Sequence, residues 1–165
     1  MISSLWLALR SLVWTVALPG MVVGYVPWRY VGLRHAPFSW REPVQLVGLL
    51  LVVVGAAALA TCIWEFARRG RGTLAPVDPP QHLVVQGLYR YVRNPMYVGV
   101  TTILLGELLI GRTAALAIYC AVWLVAVNLF IIGYEEPTLR RQFGASYEEY
   151  RRSVGRWIPR LPRGS

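Results

Sequence analysis

Two stretches of this chain carry side chains able to do chemistry. The first covers residues 81–99 and reads Gln81-His82-Leu83-Val84-Val85-Gln86-Gly87-Leu88-Tyr89-Arg90-Tyr91-Val92-Arg93-Asn94-Pro95-Met96-Tyr97-Val98-Gly99. It is the densest run of polar, aromatic and turn-forming residues in the sequence. The second is the adjacent carboxylate pair Glu135-Glu136. In the first stretch, Gly87 and Pro95 leave backbone groups exposed beside the amphipathic His82, Tyr89 and Tyr97. That mixture offers stacking faces, main-chain hydrogen bonds and a phenol, which suits an adenosine-containing ligand, and tyrosine faces also favour a sulfonium cation. The carboxylates suit a cationic ligand group or ribose hydroxyls. Each stretch also has a plainer reading: an aromatic and basic belt at a membrane interface, and a solvated helix end paired with nearby arginines.

The sequence holds no zinc signature, Gly-rich phosphate loop or nucleophile elbow. His35 and His82 lie far apart and belong to no Ser/His/Asp set, so no metal site is expected. Cys62 and Cys120 both fall inside apolar runs and read as small buried apolar residues, not as a disulfide or zinc pair.

Hydrophobic helices must position these stretches. Of the 165 residues, 56% are hydrophobic, above the roughly 45–50% usual for globular chains, and they cluster in blocks. The expected fold is an all-α integral membrane protein with about four transmembrane helices. Residues 5–26 form the first span, kinked at Pro19-Gly20. Residues 43–67 form the clearest one, because 46–60 carry no polar side chain and about 20 apolar residues cross the hydrocarbon core. Residues 96–110 and 114–134, joined by Gly111-Arg112-Thr113, form an antiparallel helical hairpin. Glu107, the one ionisable residue of its first arm, is either packed inward against a partner or near the far interface, and its closeness to the turn favours the interface.

Residues 73–80 read as an extended proline-rich connector leading into the 81–99 stretch. Glu135-Glu136-Pro137 is expected to end the last span. Two short amphipathic helices on the membrane surface then follow, broken at Gly144 and restarted by a capping box over residues 146–149. Arg156-Trp157-Ile158-Pro159 closes the segment as an anchor. The whole chain reads as one membrane domain, with N-terminal spans in residues 1–72 and a ligand-binding core in 73–160. Residues 161–165 resemble a protease-site remnant, and no cleavable signal peptide is evident.

The formal charge is +9, and every basic residue other than histidine is arginine, which points to a GC-rich bacterial genome. These arginines flank apolar spans, so the charge speaks for a lipid bilayer as partner and against nucleic acid. Five arginines lie in residues 68–93 and seven from Arg140 onward, against three in the first loop and Arg112 alone in the hairpin turn. The two rich regions fall on one side, cytoplasmic by the positive-inside bias, which suggests an inner-membrane protein. The 81–99 stretch and the acidic pair then face each other at one membrane surface.

The run Leu83-Val84-Val85-Gln86-Gly87-Leu88-Tyr89, followed by Arg93-Asn94-Pro95-Met96-Tyr97, resembles the signature of the isoprenylcysteine carboxyl methyltransferases and their phospholipid N-methyltransferase relatives. Glu135-Glu136, then Leu139, Phe143-Gly144, Tyr147, Tyr150 and Arg156-Trp157-Ile158-Pro159, continue it in order. The resemblance covers residues 81–159. It implies an integral membrane methyltransferase that uses S-adenosylmethionine at the cytoplasmic side, releases S-adenosylhomocysteine and methylates a lipophilic or lipid substrate. Carried over residue by residue, Gln81, His82, Leu83, Val84, Tyr89, Asn94, Pro95, Tyr97 and Glu135 would line the cofactor. Gly87 joins them through its exposed backbone. Arg93 and Glu136 are the candidates for direct action, Arg93 by holding the loop or an anionic group.

The chain departs from the family pattern twice. Asn94 stands where the family carries His, and can hydrogen-bond but not titrate near neutrality. Phe130-Ile131-Ile132 occupies the turn from which the eukaryotic enzymes direct an Arg at the substrate. The acceptor therefore stays open between a prenylcysteine carboxylate, a phospholipid amine and a small lipophilic metabolite. A non-catalytic or reductase-like relative of the same architecture is the alternative to a methyltransferase.

Overall fold

The computed structural model describes residues 17–69, 83 and 85–160. Residues 17–29 form one helical stretch with a π turn at Met21–Tyr25 and a last α-turn at Val26–Arg29. Helix α1 spans Pro43–Arg69, α2 Pro95–Gly111 and α3 Ala114–Phe130; a second π turn, Ile131–Glu135, leads directly into α4, Glu136–Ser153. Short 3-10 turns lie at Leu33–His35 and Gly87–Arg90.

Both π turns end two residues before a proline, Pro27 and Pro137. Within a helix, a proline lacks the N–H owed to the carbonyl four residues back, and its ring crowds that carbonyl. A wider turn just ahead relieves the clash without breaking the rod. The acceptor left over is visible at the first site. At π spacing the carbonyl of Val22 would face Pro27, which has no N–H; it accepts instead from the Tyr119 hydroxyl at 2.9 Å.

The same device overturns one expectation. Glu135-Glu136-Pro137 does not end the last helix, because the π turn absorbs the proline and the rod that starts at Ala114 runs on as far as the break at Gly144. At 1.5 Å per residue the rod from Ala114 to Phe143 is about 45 Å long, about half as long again as the hydrocarbon core is thick. Its apolar part, α3 together with the π turn that continues it, is long enough for the bilayer, and α4 follows beyond it. Gly144, at φ 50° and ψ −121°, kinks α4 where the sequence marks an interruption. The two short helical segments expected on either side of Gly144 are therefore present, and the first of them continues directly from the last span.

Helices α1 and α2 pack antiparallel through a seven-residue repeat of glycines. A Cβ built on Gly106 would stand 2.5 Å from the carbonyl oxygen of Gly48, and one on Gly55 would stand 2.7 Å from that of Gly99. Backbone meets backbone at both crossings, the contact that small residues permit between membrane helices. Leu59, Val100, Ile103, Leu104 and Cys120 fill the core beside these contacts. Cys62 and Cys120 are free, buried thiols, as their apolar surroundings imply.

Glu107 is packed inward, one of the two places the sequence leaves open to it. It is 6% exposed, drawn into the packing toward Tyr119 and Cys120 because its neighbour Gly106 is pressed against α1.

The hairpin turn forms as its residues dictate. Arg112 adopts the left-handed conformation that ends α2, and Thr113 Oγ1 accepts the Leu116 N–H at 3.2 Å to cap α3. A side chain at Gly111 would collide with Leu116, which is fully buried. At this same end, Gln45 donates to the carbonyls of Pro37 at 2.7 Å and Ile110 at 3.0 Å and accepts the Ser39 N–H at 2.8 Å. The loop before α1 is thereby tied to the end of α2.

Leu50, Val53, Ile118 and Leu129 are all more than half exposed. The outward faces of α1 and α3 are thus apolar, as lipid requires and water does not. Among the described residues two helices are long and apolar enough to cross a membrane, and α2 is a shorter apolar third. At 17 residues, α2 reaches only about 26 Å. The first of the four expected spans lies partly outside the described residues.

Candidate functional site

The two chemistry-bearing stretches meet where α1 ends, α2 begins and the second π turn passes into α4. Successive residues on a helix point about 100° apart, so Glu135 and Glu136 serve different neighbours. Glu136 turns inward and is 6% exposed. Its Oε1 accepts from Arg93 Nη1 at 3.1 Å and from Arg156 Nε at 2.8 Å, and its Oε2 accepts from Arg156 Nη2 at 2.9 Å. The Arg156 pairing is bidentate, the geometry that makes guanidinium–carboxylate pairs strong. The predicted direct actors Arg93 and Glu136 are therefore bonded to each other, with Arg156 closing the set.

Glu135 faces the 81–99 stretch, and its Oε2 accepts the Tyr97 hydroxyl at 3.0 Å. Glu135 lies beyond the apolar part of its helix and is partly buried. Burial raises its carboxyl above the ordinary glutamate value; the Tyr97 hydrogen bond opposes the shift, and the neighbouring Glu136 charge adds to it. A carboxylate held this way gains by the arrival of a cation.

Tyr89 lies among these groups, within electrostatic reach of Cys62, Glu135, Tyr150 and Tyr97. Burial first, then those neighbours, hold its phenol well above the ordinary value, so it stays protonated at every physiological pH. Its carbonyl accepts the Tyr150 hydroxyl at 2.7 Å. Two residues earlier, Gly87 sits at φ 59°, a conformation that favours glycine. A Cβ there would stand 2.9 Å from Cδ of Glu65, so the bare loop backbone lies directly on that carboxyl group.

A short two-strand contact holds the loop from behind. Val92 bridges Gly155 in parallel register, Arg93 N–H donates to Gly155 O at 2.8 Å, and Arg160 N–H donates to Tyr91 O at 2.8 Å. Asn94, 9% exposed, leaves its helix N-terminus uncapped and donates through Nδ2 to Arg156 O at 3.2 Å. Pro95 occupies the first helical position of α2, where its missing N–H costs nothing. Leu83 packs on Tyr147, Tyr150 and Val154. Trp157 Nε1 donates to Asn128 Oδ1 at 3.1 Å, fastening the C-terminal segment to the last span as well.

The structure thus brings Gly87, Tyr89, Arg93, Asn94, Pro95, Tyr97, Glu135 and Glu136 into one region, with Leu83 at its edge. Gln81, His82 and Val84 lie outside the described residues. Two participants are not singled out as site residues by the sequence. Glu65 reads there only as part of the end of α1, and nothing in its spacing links it to Gly87. Arg156 reads as part of an anchor, and its place in the closing run beside Trp157 is the one signal that sets it apart.

The sequence profile of the phospholipid methyltransferase family matches residues 44–146. The protein-S-isoprenylcysteine O-methyltransferase of Schizosaccharomyces pombe is 40% identical over 136 residues, covering 74% of this chain and 56% of that protein. Protein-S-isoprenylcysteine O-methyltransferase A of Arabidopsis thaliana is 32% identical over 120 residues, covering 70% of this chain and 59% of that one. The chain spans less than two thirds of the length of either relative. No solved structure gives a significant match. Together with the lipid-suited faces of its helices, these similarities make it a membrane protein. The profile match runs from the start of α1 into α4 and takes in the loop, both carboxylates and the glycine-packed helix pair: the chain belongs to the phospholipid methyltransferase family.

Proposed function

We propose that this protein is a methyltransferase that binds S-adenosylmethionine at the cytoplasmic membrane surface and methylates a lipophilic or amphiphilic acceptor, as the isoprenylcysteine carboxyl methyltransferases do. The observation that carries the reading is the Tyr97–Glu135 pair at the meeting point of loop and rod, 3.0 Å apart and largely shielded from water. A phenol bonded to a carboxylate that no arginine among the described residues pairs with, close to Tyr89, matches the cationic, hydroxyl-rich and aromatic parts of that cofactor. The arginine-rich termini of the spans support the cytoplasmic side.

When bound, the cofactor supplies the electrophilic methyl group on its sulfonium. Glu135 gives the counter-charge, and Tyr97 fixes which way that carboxylate points. Tyr89 and Tyr97 offer ring faces and, with Leu83, keep water out. Gln81, His82 and Val84 are the further cofactor contacts that the family resemblance implies, and Asn94 and Pro95 set the start of α2 beside the loop. Arg93 and Glu136 form the frame behind Glu135. The protein's contribution is thus alignment in a dry site, which for a group transfer of this kind supplies much of the rate.

Titration calorimetry with S-adenosylhomocysteine tests the reading. The protein as isolated should bind, and Glu135→Ala should lower affinity at least about tenfold, the loss of one charge-assisted contact. Absence of binding by the unsubstituted chain, or unchanged affinity in the variant, overturns it. The family match favours a second acceptor, the amine of a phospholipid headgroup. Incubation of membranes with methyl-labelled cofactor separates the two: label in alkali-labile ester marks a carboxylate, label in headgroup an amine.

A further inference from the structure

We infer that Arg156 is a positioning residue for the cofactor site, acting through Glu136 to set the direction of Glu135. This deepens the function proposed above and rests on it. The π turn Ile131–Glu135 leads straight into Glu136, with Glu135 as its last residue. A wide turn has poorer internal hydrogen bonding than an α-turn, so by itself it fixes the rotation of Glu135 and Glu136 about the rod only loosely.

The clamp supplies what the turn lacks. Glu136 is gripped from one side by Arg93, on the loop, and from the other by the fork of Arg156, on the C-terminal segment. Arg93 is itself tied through its backbone to Gly155, and Arg156 through its carbonyl to Asn94. Loop, rod and C-terminal segment thus close a ring through one carboxylate. With Glu136 locked, its neighbour is held toward Tyr97.

A buried ion pair is weak evidence of a stabilising role by itself. What distinguishes this one is its place, one residue from the carboxylate that meets the ligand and joined to the loop that faces it. Trp157, bonded to Asn128, fixes the next residue to the last span and so limits the play of the Arg156 fork.

A double-mutant cycle tests the inference on the full chain in detergent. S-adenosylhomocysteine affinity is measured by calorimetry for the unsubstituted protein, Arg156→Lys, Glu135→Gln and the double variant, with melting temperature alongside. Lysine keeps the charge and loses the two-pronged fork. The expected result is about a tenfold loss of affinity for Arg156→Lys alone and little or no further loss when it is added to Glu135→Gln. Equal losses in both backgrounds, or no loss in either, would mean that Arg156 does not act through Glu135. Should Arg156→Lys fail to fold, Trp157→Phe takes its place in the cycle and is read the same way, with a smaller expected loss. Absence of binding by the unsubstituted protein counts against the cofactor reading itself and is thereby told apart from failure of the positioning role.

Discussion

The glycine contacts between α1 and α2 give the sharpest quantitative expectation. In Gly106→Ala the new methyl would stand 2.5 Å from Gly48 O, 2.8 Å from Val52 Cγ2 and 2.9 Å from Val52 N. In Gly55→Ala it would stand 2.7 Å from Gly99 O, 2.7 Å from Ile103 Cγ1 and 2.9 Å from Ile103 N. Two of the three atoms at each site belong to the facing backbone, so no change of rotamer relieves them. Ordinary contact needs about 3.5 Å, and the helices must part by roughly 1 Å. Overpacking of this kind costs about 1–3 kcal/mol, against about 0.5–1 kcal/mol recovered when a helical glycine becomes alanine. The net expectation is a loss of up to about 2.5 kcal/mol for each variant, toward the upper end because the facing backbone cannot give way.

A methyl added at Gly133, in the second π turn, would meet nothing within 4 Å, so Gly133→Ala should be neutral or gain up to about 1 kcal/mol. Thermal unfolding in one detergent compares the three. Gly106→Ala and Gly55→Ala should melt several degrees below the unsubstituted chain and Gly133→Ala should not. Gly55 lies on the α1 face that continues through Leu59 and Cys62 toward Glu65, so Gly55→Ala should also weaken S-adenosylhomocysteine binding more than Gly106→Ala does. A Gly106→Ala protein that melts normally, or a Gly133→Ala protein that is the least stable of the set, refutes the backbone contact.

Two further outcomes follow from the carboxylates. Glu136→Gln leaves Arg93, whose side chain is 10% exposed, and Arg156 against a neutral amide; about 3–5 kcal/mol of stability should be lost, and an unchanged melting temperature would show that charge does not hold the clamp. Glu135 has a raised carboxyl, by burial first, above the ordinary 4.5. The folded chain therefore takes up a proton more readily than the unfolded one, so this group favours folding below its raised value and ceases to as pH climbs through it. Cofactor affinity should move the opposite way, rising as pH increases from 4.5 through that raised value, with proton uptake by the buffer on binding. A flat affinity profile, or one unaltered by Glu135→Gln, speaks against a cation held by this carboxylate.

Much of the architecture is written locally. The uninterrupted apolar run of 46–60 makes α1, because an isolated segment in lipid satisfies its backbone hydrogen bonds only as a helix. Gly111-Arg112-Thr113 makes the hairpin, because one residue takes the left-handed turn and the next caps the following helix. The loop–carboxylate meeting is also legible, since the hairpin returns the chain to the side it left. The end of the last span is where local reading fails, at Pro137. Proline's local rule is to stop a helix, and the π turn just ahead of it lets the rod continue.

The sequence by itself thus determined the helices, their order, the side of the membrane its arginines favour and the two stretches that carry chemistry, because each follows from composition or from neighbours in the chain. Tertiary structure alone decided which partner each carboxylate has. Glu135 and Glu136 are equivalent in type and adjacent in order, and nothing local separates them. The rotation of the rod turns one toward Tyr97 and the other into the grip of Arg93 and Arg156. That rotation depends on contacts between residues far apart in sequence, and it leaves one carboxylate bonded to a single phenol and the other locked between two arginines.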